Sequence, residues 1–180
     1  NPIIFEFTYT VKANLLFSTT PEANAVLNQP LSDISVTVEA QSGTEINLEG
    51  SIIQLFNPKG APKPGKLTHN GMDTLFLKLD TSLATDGSDD GWYTIKVMAL
   101  DYRGNSVNHT AKFLYDTTAP EVVWTQPENG SIINENINSI SARLSDEHAG
   151  VDLIGSTISL PGIAGRKQNN GVDTIKLQFA

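Results

Sequence analysis

The chain has 180 residues, with 12 Lys plus Arg against 20 Asp plus Glu, a formal net charge of −8 and no Cys. This length allows one large domain or two domains of about 100 residues, each with its own core. The acidic balance argues against nucleic-acid binding, and the lack of Cys excludes disulfides and thiolate metal sites. No run approaches the roughly 18 apolar residues of a membrane-spanning helix. A Cys-free acidic chain is compatible with an exported, extracellular or cell-surface protein.

Apolar residues alternate with polar ones in four segments, 34–38, 75–79, 93–99 and 175–179. This two-residue period is typical of antiparallel strands that bury one face. The breaks between strands carry turn residues such as Asn-Pro, Asn-Gly and Gly-Asn. No segment of a dozen residues has a helical period. The sequence therefore predicts an all-β chain.

Four blocks of sequence recur in the same order at an offset of about a hundred residues. The pairs of matching blocks are 34–38 with 140–144, 42–43 with 149–150, 50–55 with 155–160, and 70–77 with 170–177. Such self-similarity predicts two copies of one structural module.

The segment 90–120 contains a turn, an alternating strand, a polar hairpin loop, a second strand and an exit marked by Pro. Its motifs are Asp-Gly-x-Tyr, Asp-x-x-Gly-Asn and Asp-Thr-Thr-Ala-Pro. In series they resemble the closing strands of the Ig-like repeat domains of large bacterial surface and secreted, adhesin-type proteins. The resemblance implies tandem immunoglobulin-like antiparallel β-sandwiches. It also implies that the Tyr93 hydroxyl bonds back to the corner before its strand.

The repeat and the resemblance together predict the domain boundaries. Residues 21–117 form a complete Ig-like domain, and residues 118–180 form a second one that is C-terminally incomplete. Residues 1–20 are interpreted as closing strands of a preceding module, because residues 8–13 resemble residues 92–97. The alternative is an extra strand of the first domain. We expect residues 1–20, or a neighbouring molecule, to complete the second domain.

The densest acidic loop, residues 86–91, is a candidate calcium site, since Ca²⁺ takes six to eight oxygen ligands. Asp86, Asp89 and Asp90 are its candidate ligands. Asp116, at a Pro-bearing joint, is a candidate to share a cation with loops of both modules. The alternative is that these aspartates cap turns and that the joint is a stiff spacer without an ion.

Trp92 and Trp124 are candidate binding residues, for sugar stacking or hydrophobic anchoring; core or inter-module packing is the alternative. His69, His109 and His148 are far apart in turn-like segments and are predicted to be exposed loop residues. No zinc-binding spacing and no Gly-x-Ser-x-Gly motif occurs, so we do not expect an enzyme.

The resemblance implies a structural function, as spacer or stalk modules of a bacterial cell-surface or secreted multidomain protein. The expected partners are neighbouring Ig-like modules of the same polypeptide and a host or cell-surface glycan or protein. The alternatives are a carbohydrate- or protein-binding Ig-like module and an accessory domain of a secreted hydrolase.

Overall fold

The computed structural model describes residues 15–41 and 45–180. Throughout this part of the chain the regular elements are β-strands, paired almost entirely in antiparallel fashion, so the all-β prediction is confirmed. No helix long and apolar enough to cross a membrane occurs among these residues. The chain divides into two compact units, Asn1–Tyr115 and Asp116–Ala180.

The first unit contains two sheets within its described residues. One sheet has the order β1-β3-β7-β6, and the other has the order β2-β9-β8-β4-β5, in which the short β2 is parallel to β9. The strands are β1 Leu15–Thr20, β2 Val26–Leu27, β3 Asp33–Ala40, β4 Ile46–Phe56, β5 Pro62–Lys63, β6 Gly65–His69, β7 Thr74–Leu79, β8 Gly91–Asp101 and β9 Ser106–Tyr115.

Alternating apolar side chains of the two sheets form one core. On β3, Ile34 and Val36 are fully buried, and on β7 Leu75 is fully buried; Tyr93 and Ile95 of β8 join them from the other sheet. Burial of each such side chain contributes about 1.5–3 kcal/mol, which makes this face the main source of stability in the unit.

Tyr93 connects this core to the loop before its strand. Its hydroxyl donates a 2.9 Å hydrogen bond to the backbone carbonyl of Asp89, as predicted. Its ring stacks on Phe113 at a centroid distance of 5.4 Å and meets Tyr115 edge-on at 6.2 Å. The residue therefore fixes the loop and packs the core at the same time.

The second unit contains one four-stranded antiparallel sheet among its described elements, with the order β10-β11-β13-β12. Its register matches that of the first sheet, since Ile34 pairs with Leu77 and Ile140 pairs with Leu177. The strands are β10 Glu121–Gln126, β11 Ser139–Ser145, β12 Gly165–Asn169 and β13 Thr174–Phe179.

The hairpins before β7 and β13 are built in the same way. The side-chain oxygen of Asn70 accepts hydrogen bonds from the backbone N–H groups two, three and four residues later, and that of Asn170 does the same. Gly65 and Gly165 lie at equivalent close approaches, where a Cβ would stand 2.5 Å and 2.6 Å from a carbonyl oxygen of the neighbouring strand. The matching sequence blocks 70–77 and 170–177 therefore specify the same local structure.

The match between residues 50–55 and 155–160 does not extend to the structure. Residues 50–55 belong to β4, whereas residues 155–160 form no strand and contribute only an isolated bridge between Leu160 and Ile163. The Asp152 carboxylate accepts hydrogen bonds from the next turn, at Ile154 and Gly155. That turn holds this segment in a loop.

The predicted domain boundaries, 1–20, 21–117 and 118–180, remain predictions. Leu15–Thr20 pairs along its length with β3 inside the first unit. The rest of the predicted 1–20 segment, including the match at residues 8–13, lies outside the described residues.

We predict that Leu75→Ala lowers the free energy of unfolding of the first unit by about 2–5 kcal/mol, because it removes a fully buried side chain from the core. Phe76→Ala is the matched control, since Phe76 points to the other face and is partly exposed. Urea unfolding of the two variants measures the difference. Equal losses in both variants would contradict the assignment of the two faces.

Candidate functional site

The loop at residues 84–91 contains the candidate calcium segment 86–91. Its carboxylates accept hydrogen bonds from N–H and hydroxyl groups of the same loop. Asp86 accepts hydrogen bonds from the backbone N–H of Ser88 at 3.1 Å and from the Ser88 hydroxyl at 2.6 Å. These bonds, the hydroxyl bond first, lower the pKa of Asp86. The backbone N–H of Asp90 donates to the carbonyl of Gly87 at 3.2 Å.

Asp89 has both carboxylate oxygens engaged by protein donors. One accepts from the backbone N–H of Ala84 at 2.8 Å, and the other accepts from the Lys63 ammonium at 3.2 Å and the Tyr93 hydroxyl at 3.3 Å. Burial by itself raises the pKa of Asp89, but these donors outweigh it and the net pKa is lowered. Because the Lys63 ammonium already pairs with this carboxylate and would repel a cation, calcium, which the sequence suggested for this loop, is not supported here.

The same use of carboxylates recurs at other turns. The side-chain amide of Asn105 donates to Asp101 at 2.7 Å and is the main reason that the pKa of Asp101 is lowered. Asn70 and Asn170 lower the pKa values of Asp73 and Asp173 in the same way. Burial raises the pKa of Tyr93, and the Asp89 charge adds to this effect.

Asp116 and His148 lie close together in the second unit. One carboxylate oxygen of Asp116 and one imidazole nitrogen of His148 are within 4.8 Å of each other. The Asp116 side chain is buried, and its carboxylate accepts a 2.7 Å hydrogen bond from the backbone N–H of Ala149. Its other oxygen accepts from the backbone N–H of Thr118 at 3.3 Å.

A turn stabilised by Asp146 holds the backbone around His148. The carboxylate of Asp146 accepts hydrogen bonds from the backbone N–H groups of His148, at 3.1 Å, and Gly150, at 2.9 Å. Ala149 lies within this turn, and its N–H donates to Asp116. The turn therefore positions both the Asp116 carboxylate and the backbone of His148.

The predicted site residues fall in both units. Asp86, Asp89 and Asp90 lie in the 84–91 loop of the first unit, and Asp116 is the first residue of the second. His148, predicted to be an exposed loop residue, is half-buried beside Asp116. The sequence signal for it was the spacing Asp146-x-His148-x-Gly150, which is typical of an Asp-capped turn.

The two tryptophans are exposed on strands rather than packed in a core. Trp92 of β8 is 47% exposed and Trp124 of β10 is 43% exposed, so neither ring is buried in a core, and packing between modules stays an expectation. Trp124 lines a shallow depression with Val122 and Pro127. Trp92 lines a groove of about 290 Å³, whose other lining residues are Phe56, Asn57, Pro58, Gly60, Thr94, Lys96 and Lys112. Their role in binding remains a prediction.

Comparison with known proteins gives matches among solved structures alone. No protein-family model and no curated protein matches the chain. CopC from Methylosinus trichosporium OB3b is 19% identical, with 58% of this chain and 93% of that chain covered and a TM-score of 0.45. PcoC, a methionine-rich copper resistance protein from Escherichia coli, is 13% identical, with 58% and 99% covered and a TM-score of 0.46. Selenomethionine PcoC is 14% identical, with 54% and 95% covered and a TM-score of 0.43.

The expected relation to Ig-like repeats of bacterial adhesin-type proteins is wrong, because the matched structures are CopC and PcoC, the latter a copper resistance protein. The predicted spacer or stalk function is wrong for the same reason. Its alternatives, a carbohydrate- or protein-binding Ig-like module and a hydrolase accessory domain, are wrong as well. The same holds for the expected partners, which were neighbouring Ig-like modules and host glycans or proteins.

The motifs that carried the resemblance have a local explanation. In Asp-x-x-Gly-Asn, the Asp101 carboxylate accepts hydrogen bonds from the backbone N–H groups of Arg103 and Asn105, at 2.9 Å and 2.7 Å. In Asp-Gly-x-Tyr, Tyr93 bonds back to Asp89. Asp-x-x-Gly-Asn therefore specifies the hairpin between β8 and β9, and Asp-Gly-x-Tyr specifies the loop that enters β8 from the other sheet. Unrelated β-proteins share such turn residues.

We predict that Asp89→Asn lowers the free energy of unfolding by about 1–3 kcal/mol at pH 7, because hydrogen bonds to a charged acceptor are weakened. The folded-state pKa of Asp89 lies below its ordinary value. Its contribution is therefore complete above the unfolded-state pKa of about 3.9 and is lost as the pH falls through the folded-state pKa.

The measurement is urea unfolding between pH 7 and pH 2.5, with Asp80→Asn as the control at an exposed aspartate. The difference between wild type and Asp89→Asn is expected to shrink in acid. A difference that stays constant over this range, or that Asp80→Asn reproduces, would show that the Asp89 charge does not stabilise the loop.

Proposed function

We propose that this chain is an exported, non-enzymatic protein that binds a divalent transition-metal ion through its second unit. Asp116 and His148 are its metal ligands. The observation that carries the proposal is the approach of a carboxylate oxygen and an imidazole nitrogen to within 4.8 Å. A metal ion stands about 2.0–2.2 Å from such ligands, so a small side-chain rotation brings both onto one ion.

The two ligand types select the class of metal. An imidazole nitrogen suits copper, zinc and nickel, whereas Ca²⁺ and Mg²⁺ take oxygen ligands. For a given nitrogen and oxygen site, affinity among divalent first-row ions is highest for Cu²⁺. Cu²⁺ is therefore the ion that this pair binds most strongly, with water molecules completing its coordination.

The surroundings of the pair support a role as metal ligands. Metal-binding carboxylates are commonly held by hydrogen bonds from neighbouring groups, and such bonds keep the ligand oriented. The N–H of Ala149 supplies this bond to Asp116. The Asp146-capped turn orients the backbone of His148.

For the fold, we infer an immunoglobulin-like sandwich in the first unit and one sheet of the same plan in the second. The order β1-β3-β7-β6, facing a sheet that contains β9-β8-β4, supports this inference because it follows the strand order of that architecture. The inference concerns architecture and implies no relation to surface-protein repeats.

Two further parts of the proposal come from the chemistry of the chain. A binding role without catalysis agrees with the acidic side chains, since those with lowered pKa values serve turns. Location outside the cytoplasm agrees with a sequence that contains no Cys, because such a protein presents no thiol to an oxidising environment.

We predict that Cu²⁺ binds the chain and that His148→Ala weakens binding at least about tenfold, because one of two protein ligands is lost. Asp116→Asn is expected to weaken binding as well, since an amide oxygen carries no charge. Isothermal titration of the full chain with Cu²⁺ in a weakly chelating buffer measures both.

His69→Ala is the matched control, because it removes an imidazole of the first unit that accepts a hydrogen bond from the backbone N–H of Gly71 in its own turn. Its affinity for Cu²⁺ is expected to equal that of the wild type. Unchanged affinity in His148→Ala, or displacement of Cu²⁺ by equimolar Ca²⁺, would show that this pair is not the metal site.

A further inference from the structure

The outer face of the β4-β8-β9 sheet carries a groove that combines aromatic rings with lysines. Strand pairing places Phe56 opposite Thr94, and Thr94 opposite Lys112, in one row across three strands. Trp92 and Lys96 lie two residues to either side of Thr94 on β8, so they share its face. All five residues line the groove.

The charge of this face is opposite to that of the whole chain. The chain has a net charge of −8, yet the groove contains two lysines and no acidic residue. The ion pairs found among the described residues, Lys63 with Asp89 and Arg143 with Asp173, use neither of them. Lys96 instead places its ammonium 4.5 Å from the centre of the Phe56 ring. The groove therefore offers positive charge to an anion.

The aromatic surface offers a second kind of contact. Trp92 is 47% exposed, and its indole ring presents a flat apolar surface beside the lysines. Planar rings pack on such a surface with an offset or edge-on geometry. A ligand that carries both a ring and an anionic group can use the two contacts together.

The size of the groove limits the ligand. Its volume is about 290 Å³, just below the range of about 300–1,000 Å³ that is typical of small-molecule sites. This volume fits a ligand of one or two rings and does not require a polymer. The turn that contains Pro58 and Gly60 contributes to its lining.

We propose that this groove binds a small aromatic carboxylate. The ring of the ligand packs on the indole of Trp92, and its carboxylate accepts hydrogen bonds from the ammonium groups of Lys96 and Lys112. The site belongs to the first unit and uses none of the proposed metal ligands, so it stands independently of metal binding.

The test is a titration of the ¹⁵N-labelled chain with benzoate, followed by the backbone amide shifts. We expect shifts to concentrate on β4, β8 and β9, and we expect the neutral isostere benzamide to bind more weakly. Lys112→Gln and Lys96→Gln should each weaken benzoate binding about two- to fivefold, as removal of one exposed charge contact does.

Lys78→Gln is the matched control, because Lys78 is exposed on the other sheet. It is expected to leave the benzoate affinity unchanged, and Trp92→Ala is expected to reduce it. Unperturbed amide shifts on β1 and β3, in the other sheet, report that each variant is folded.

Three results would overturn the proposal. Equal binding of benzamide and benzoate would exclude recognition of the anion, and an equal loss in Lys78→Gln would show only a general charge effect. Displacement of benzoate by an acidic peptide at a lower concentration would assign the groove to a polypeptide partner instead. Failure of the chain to bind Cu²⁺ would contradict the proposed metal site and would not affect the benzoate result.

Discussion

The two-residue alternation of apolar side chains on β3, β7 and β8 is the constraint on which the rest of the first unit depends. A slip of one residue in any of these strands would turn Ile34, Leu75 or Ile95 towards solvent. The buried set therefore fixes the strand register, and the register fixes what the outer face presents. Tyr93 and Ile95 lie between Trp92 and Lys96 on β8 and point into the core. Trp92 and Lys96 therefore both point to the outer face and line the groove.

The second unit repeats the register of one sheet but not the rest of the first unit. Its inner face carries Lys167 where the first unit carries Leu67, since both pair with the central leucine of the neighbouring strand. The ammonium of Lys167 donates to the carbonyls of Leu153, Ile154 and Ser156, at 3.1, 2.7 and 2.6 Å. These bonds hold the loop against the sheet. The second unit therefore has a charged side chain bonded to a loop at the position where the first unit has an apolar side chain.

The sequence was sufficient for the strands with a two-residue period and for the hairpins with turn residues, but not for residues 155–160, which resemble part of β4 and form a loop. Asn70 and Asn170 show the effect of turn residues best, since each caps a hairpin with its own side chain. It was insufficient for the pairing of Asp116 with His148, which are 32 positions apart and meet only through the fold. The family resemblance failed for a related reason, because its motifs encode turns and turns recur in unrelated β-proteins.

X-ray absorption at the copper edge of the Cu²⁺-loaded chain tests the mixed nitrogen and oxygen metal site most directly. We expect one imidazole nitrogen, with carboxylate and water oxygens as the remaining ligands at about 2.0–2.2 Å. Loss of the imidazole signal in His148→Ala would complete the assignment. Two or more imidazoles, or an all-oxygen shell in the wild type, would contradict it.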